Sequence, residues 1–223
     1  MRATAAMVCS LAVFFSILSG LNAQMQARGS FKNIQIHVKF LNTPQITVDN
    51  YPNSLKSDTK WLAFEVSYTA PRIATGQNNY DWLDDVTMEV DVLFPAAYKG
   101  QEIMALMTGS TTYWSIQLDG KKHQALMAVP PQVIARYSRP GTKYKENTIL
   151  ARVSFYTKNR ILLGSGISDV KNVSERKAYE LFEKYSGPVS NALKLENFIL
   201  SRSKTPWAFI QYDYYDMIKE QVK

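Results

Sequence analysis

The sequence predicts a mainly β protein, an antiparallel immunoglobulin-like β-sandwich with one short amphipathic helix at about 174–186. Three observations point there. Apolar residues alternate with a period of two in four separate stretches, one segment alone switches to helical spacing, and turn residues rather than a long internal repeat separate the elements. With 223 residues, 46% hydrophobic and 20% charged, the chain has material for a sizeable core and is neither a disordered polymer nor a collagen-like repeat.

Residues 1–23 read as a secretory signal peptide. Arg2 supplies the positive start, Met7 to Leu18 the apolar run, and Leu21-Asn22-Ala23 the cleavage region, so that Gln24 opens the mature chain. The apolar run is too short to span a bilayer, and no later run is longer, so no transmembrane segment is expected after cleavage. Removing this segment takes away Cys9, the single cysteine, and lowers the formal charge from +7 to +6. A thiol-free exported chain must hold itself together by packing alone, which suits a bacterial envelope.

The strands follow in order. Ile34, Ile36, Val38 and Phe40 alternate with polar residues. Leu62, Phe64, Val66 and Tyr68 repeat the pattern, as do Val86, Met88, Val90, Val92 and Phe94, with Pro95 ending that stretch. Ile149, Ala151, Val153 and Phe155 form the fourth. Shorter strand candidates lie at 103–107, 132–137, 160–164, 195–201 and 207–215.

Asp119-Gly120 has the composition of a two-residue type I′ turn, which would make 113–118 and 121–129 a hairpin. Ile116 would then face His123, Trp114 would face Ala125, and Tyr113 would face Leu126. The helix is signalled by Ser174 as its cap, by Ala178, Leu181, Phe182 and Tyr185 at helical spacing, and by Gly187-Pro188 as its end. No linker divides residues 24–223, so one domain is expected, with a sandwich favoured over a barrel.

The inventory for chemistry is thin. Without a mature cysteine there is no thiol catalysis and no cysteine-ligated zinc. His37 and His123 fall on different kinds of position, so a histidine triad or metal site using either would need the tertiary fold to bring it beside carboxylates. Gly164-Ser165-Gly166 is one residue too short for a nucleophile elbow and reads as a bend or bulge. The Ser-x-x-Lys quartets starting at Ser57, Ser168, Ser174 and Ser201 lack the partner motifs of an acylating site. No metal site and no cofactor are expected.

Charge is segregated along the chain. Residues 81–102 carry a net −5 and residues 121–160 a net +8. The acidic block lacks the spacing and glycine of a calcium loop. In the basic block tyrosines interleave with cations, and Lys121, Lys122, Arg136, Tyr137, Arg139, Lys143, Tyr144 and Lys145 are the candidate binding residues, for a glycan or another polyanion. Export argues against nucleic acid as the ligand. The densest aromatic run, Thr205 to Asp216, suits an edge strand with core on one face and a contact surface on the other.

The export signal, the mature size, the missing cysteines, the stretch Trp82-Leu83-Asp84-Asp85-Val86-Thr87-Met88-Glu89-Val90-Asp91-Val92 and the Trp207 to Asp216 stretch together resemble one group of proteins. These are the small exported immunoglobulin-like envelope proteins associated with type IV-pilus-like systems in Akkermansia-type bacteria. The resemblance implies a non-enzymatic role in an assembly, with other envelope proteins as partners, and carries over no site residues.

Three functions are therefore expected in order. The first is a structural or interaction protein located in the periplasm, at the outer-membrane surface or outside the cell. The second is a glycan or polyanion binder using 121–160, and the third a hydrolase whose site would show as His37 or His123 clustered with carboxylates in a deep pocket.

Overall fold

The computed structural model describes residues 30–44, 60–76, 79–139, 141–210 and 215–220. The expected signal peptide, residues 1–23, lies outside them. The strands are β1 (Lys32–Asn42), β2 (Lys60–Thr69), β3 (Ala74–Gly76), β4 (Asn79–Tyr80), β5 (Trp82–Tyr98), β6 (Gln101–Gln117), β7 (Lys122–Val129), β8 (Leu150–Tyr156), β9 (Leu162–Ile167), β10 (Leu193–Leu195) and β11 (Leu200–Ser201). The helices are α1 (Pro131–Tyr137) and α2 (Glu175–Ser186).

Two sheets carry the fold, in the orders β1-β2-β7-β11 and β10-β6-β5-β8-β9. Their pairings are antiparallel except for β10 on β6, and they close into no barrel. The period-two residues do what alternation requires. Leu62, Phe64 and Val66 of β2 and Ala125, Met127 and Val129 of β7 face Val86 to Phe94 of β5 and Ala151, Val153 and Phe155 of β8 across one shared core. Phe155 meets Phe31 edge-on at 5.2 Å and Tyr68 at 4.6 Å, joining the two sheets through aromatic contacts.

Each sheet is also covered on its outer face. Leu93, Leu106 and Leu150 lie beneath Val170, Ala178 and Phe182, so α2 seals one side. On the other, Ala63, Leu126 and Ala128 lie beneath Trp61, Trp207 and Tyr215, with the Trp61 and Trp207 rings 5.6 Å apart. Helix α2 occupies the expected residues. Ser174 Oγ accepts from the Lys177 N–H at 3.4 Å, and Gly187 closes the last turn.

Several elements differ from the sequence expectation. Asp119-Gly120 is not a hairpin turn, because β6 pairs with β5 and β7 pairs with β2. The chain crosses there from one sheet to the other, and His123 lies opposite Tyr68 instead of Ile116. A turn dipeptide biases only its own backbone, whereas β6 finds a full-length neighbour in β5. The primed turn sits at Lys99-Gly100, with φ of 49° and 78°, between the paired Tyr98 and Gln101. That hairpin carries β5 past Pro95, which pairs with Met104 beyond the last residue that β8 covers, Leu93.

The segment 132–137 is a helix, α1, instead of a strand. Pro130 and Pro131 have no N–H to give a ladder, and a proline fits the first helical turn without loss. The candidate at 195–201 divides into the two short strands β10 and β11, one on each sheet. Trp207 to Ile210 are turns, not strand. Residues 211–214 lie outside the described ones, and the pairing that follows is a single bridge from Ile218 to Tyr113.

Gly164 and Gly166 are placed by close approach. A Cβ on Gly164 would meet Ile34 Cδ1 at 2.8 Å, and one on Gly166 would meet Ile34 Cγ2 at 2.7 Å. Their absence lets β1 lie on β9, where the Phe31 N–H donates to the Leu163 carbonyl at 2.9 Å.

Candidate functional site

The alternation of β5 and β6 breaks at one place. Val86 and Tyr113 face the core, yet so do Leu83 and Ile116, which are out of step with them. Asp85, at φ 54°, absorbs the change of phase. The break leaves Trp82 and Trp114 on the surface, about half exposed. The C-terminal segment lies beside them. The Trp114 N–H donates to the Met217 carbonyl at 3.0 Å and the Lys219 N–H to the Thr112 carbonyl at 2.7 Å. The Lys219 ammonium sits 4.5 Å over the Trp114 ring and 2.5 Å from the Asp85 carboxylate. The hydrogen bond from Lys219, with its charge and that of Lys158, holds the Asp85 carboxyl below the usual range.

One residue earlier the same segment enters the molecule. Asp216 accepts from the Tyr68 hydroxyl at 2.7 Å and faces His123 Nδ1 at 3.1 Å, while Asp119 faces His123 Nε2 at 3.2 Å. The His123 ring stacks on Tyr68 at 5.5 Å, tilted by 19°. Burial alone would lower the His123 pKa, but the two carboxylates outweigh it and the net shift is upward. Burial, reinforced by Asp216, pushes the Tyr68 phenol well up, so that it remains a donor. For Asp119 burial acts upward, and the Lys121 N–H and His123 overcome it, leaving the carboxyl lowered.

This cluster is what the sequence reading missed. It consists of Tyr68, Asp119, His123 and Asp216, drawn from β2, the sheet-to-sheet corner, β7 and the C-terminal segment. In its protonated form a histidine with a carboxylate at each ring nitrogen donates to both and has no free lone pair to act as a base. The arrangement can fasten four pieces of chain; it does not present a nucleophile. His37 is exposed on β1 opposite Glu65, away from this group. An open hollow of about 270 Å³ is lined by Leu106, Thr108, Lys194, Glu196 and Asn197, with neither histidine in its wall. Among the described residues no group of three or more His, Cys, Asp or Glu could hold a metal ion.

The fold divides the eight basic-block candidates. Lys121 and Lys122 lie at the start of β7, and Lys121 approaches Asp119 at 3.8 Å. Arg136, Tyr137, Arg139, Lys143, Tyr144 and Lys145 lie beyond the other end of that eight-residue strand, about 26 Å away at roughly 3.3 Å per residue. There they gather at the tip of the β5–β6 hairpin. Tyr144 donates to the Pro95 carbonyl at 2.7 Å and lies tilted against the Phe94 ring, Arg139 pairs with Glu102 at 3.0 Å, and Tyr137 is buried against Phe198. Both tyrosines thus help to hold the segment in place.

Much of the remaining charge cancels internally. Because β8 pairs with β5, Arg152 reaches Asp91 at 2.6 Å, Arg160 reaches Glu89 at 2.6 Å and Lys158 approaches Asp85 at 3.6 Å. Arg152 also lies 4.7 Å over the Phe182 ring of α2. The acidic and basic blocks, adjacent in sequence, are partners in space. Among the described residues Lys99, Arg136, Lys143 and Lys145, on the hairpin side of the molecule, make no ion pair, and neither do Lys32, Lys60, Arg72 and Lys122 elsewhere.

Fold and site together define a mainly β protein of two facing antiparallel sheets, in which the histidine–carboxylate group works as an internal fastener. A family model matches residues 21–222, and the chain belongs to the family which that model describes, in keeping with its resemblance to the Akkermansia-type proteins. A crystal structure from Akkermansia muciniphila is similar in fold, with a TM-score of 0.63 and 16% identity over 87% of this chain and 94% of that chain. No curated protein matches the chain.

Proposed function

We propose that this chain is an exported, non-enzymatic interaction subunit of a bacterial cell-envelope or pilus-like assembly, built as one immunoglobulin-like sandwich from Gln24 onward after removal of residues 1–23. The carrying observation is the exposed apolar end formed by Trp82, Trp114 and Met217, which are 53%, 50% and 55% exposed, beside a titratable cluster used for fastening. The family match supports the reading, and it begins at residue 21, next to the expected cleavage site. The partners are other envelope proteins, and the location is the periplasm, the outer-membrane surface or the medium.

Affinity capture from solubilised envelopes tests this. The wild-type chain retains specific envelope proteins, and the Trp82→Ala/Trp114→Ala variant loses them. Recovery of the bait alone, or equal recovery by the variant, counts against it.

A second reading has its own support in the unpaired cations Lys99, Arg136, Lys143 and Lys145 at the hairpin tip: a site for an acidic partner or glycan. Its signature is retention on a sulfated polysaccharide that falls steeply with added salt and is lost in Lys143→Glu/Lys145→Glu. Salt-independent retention sinks it.

A further inference from the structure

The β5–β6 hairpin outruns the sheet around it. β8 covers β5 only as far as Leu93 and β10 covers β6 only from Ala105, yet β5 and β6 stay paired to Tyr98 and Gln101. The five residues of β5 beyond Leu93 carry the apex about 16 Å past that cover, at roughly 3.3 Å per residue. The segment after α1 makes a second turn beside it, closed by the Thr142 N–H on the Arg139 carbonyl at 3.1 Å. A Cβ added to Gly100 or Gly141, the glycines of the two turns, would meet nothing within 4 Å. Among the described residues neither turn is roofed.

Cations crown both turns. Lys99, Arg136, Lys143 and Lys145 are exposed, with Lys99 5.4 Å over the exposed Tyr98 ring and Arg136 5.4 Å over Tyr137. The acids of residues 98–102 and 136–146 are Glu102, which Arg139 takes, and the exposed Glu146. Five cations stand against two acids, a net +3.

We propose that this end docks on a bilayer surface bearing anionic headgroups, with Tyr98 in the headgroup layer and the cations on lipid phosphates. The inference rests on the second reading above, in which the unpaired cations form a site, and it names the partner. Two features favour a bilayer over an acidic chain. The cations sit on separate projections: Tyr144, between Lys143 and Lys145, is anchored at Pro95, four residues or about 13 Å short of Lys99 along the strand. That exceeds the Debye length of ~8 Å at physiological ionic strength, so the cations act separately. A bilayer supplies a phosphate opposite each of them, whereas a single acidic strand would have to bend over two convex turns. The second feature is Tyr98 at the apex, an apolar ring with a polar end, the kind of side chain that membrane interfaces favour.

In the test, purified chain from Gln24 onward is sedimented with vesicles of phosphatidylcholine alone and of phosphatidylcholine with phosphatidylglycerol. Binding is expected to the anionic vesicles only, and it should fall as salt is added. Lys143→Gln/Lys145→Gln should lower the partition coefficient about twentyfold, from roughly fivefold per cation. Lys32 faces Thr69 and Arg72 bridges to Asp119, at the end where the chain crosses between sheets. The same charge change there, Lys32→Gln/Arg72→Gln, should alter binding by less than about twofold. A polarity-sensitive dye on Gln101→Cys, the only thiol of that chain after Ala23, should shift to the blue on anionic vesicles. Equal binding to neutral vesicles, equal loss in the two double variants, or a dye that stays in water overturns the proposal. Retention on sulfated polysaccharide without vesicle binding overturns it too and leaves the polyanion reading standing; absence of both removes both.

Discussion

Asp216 and His123 are 93 residues apart in sequence and 3.1 Å apart in the structure. Through this contact the C-terminal segment is fastened to β7. Because Asp119 occupies the other ring nitrogen at 3.2 Å, the corner between the two sheets is fastened by the same imidazole. A histidine so placed makes stability depend on pH.

The His123 pKa is raised in the folded chain, so its contribution is fully present below the unfolded value of about 6.5 and is lost as pH rises through the higher folded value. Asp119 works in the opposite sense: lowered on folding, it contributes above the ordinary carboxylate value and loses that as pH falls through its folded value. The fastener is strongest between roughly pH 4 and pH 6.5. Urea midpoints measured from pH 5 to pH 9 should fall as pH rises above about 6.5 in the wild type and flatten in His123→Gln. Parallel curves for the two proteins would mean that His123 does not carry the effect.

The core contact across the sheets sets a larger quantity. Phe155 is fully buried between Phe31 and Tyr68, and Phe155→Ala should cost about 3–5 kcal/mol, read by chemical denaturation. A loss under about 1 kcal/mol would mean that the sheets do not meet there.

Two glycines separate packing from backbone conformation. A Cβ on Gly109 would lie 2.1 Å from the Ile199 carbonyl oxygen, so Gly109→Ala must push the 193–201 crossing off β6. Gly141 has nothing within 4 Å but sits at φ +73°. Gly141→Ala should cost about 1–2 kcal/mol through that conformation alone. Gly109→Ala should cost more and should also raise amide exchange at Leu193–Leu195, whereas Gly141→Ala should leave those amides protected.

The two arginine pairs between β5 and its neighbours are unequal. Arg152 gives Nε and Nη2 to Asp91 and lies over Phe182, with both charged side chains about four-fifths covered. Arg160, on Glu89, is 60% exposed. Arg152→Ala should destabilise by on the order of 1–2 kcal/mol, and Arg160→Ala by less, with a stronger salt dependence. Thermal denaturation of both variants at low and high salt would show the reverse order if packing on Phe182 contributes nothing.

Val86 to Phe94, Leu62 to Tyr68 and Ile149 to Phe155 announce their faces because a strand's side chains alternate whatever lies beside it. Ser174 and Gly187 mark α2 for a similar reason, since capping involves only residues within a turn of each other. The missed helix α1 was marked by Pro130-Pro131, a local signal read as strand. Asp119-Gly120 misled in a different way: the dipeptide favours a turn, and nothing in it says which sheet receives the chain that follows.

What the sequence determined by itself is the long strands Leu62 to Tyr68, Val86 to Phe94 and Ile149 to Phe155 with the faces they bury, the helix after Ser174, and the absence of any thiol after Ala23. Tertiary structure decided the rest. Strand order placed β8 beside β5, turning two opposed charge blocks into ion pairs. The sheet crossing at Asp119 put His123 between two carboxylates, and the extended β7 held Lys121 and Lys122 away from Arg136, Lys143 and Lys145. Periodicity is a property of neighbours along the chain, whereas a site requires residues whose separation in space is fixed only when the sheets choose their partners.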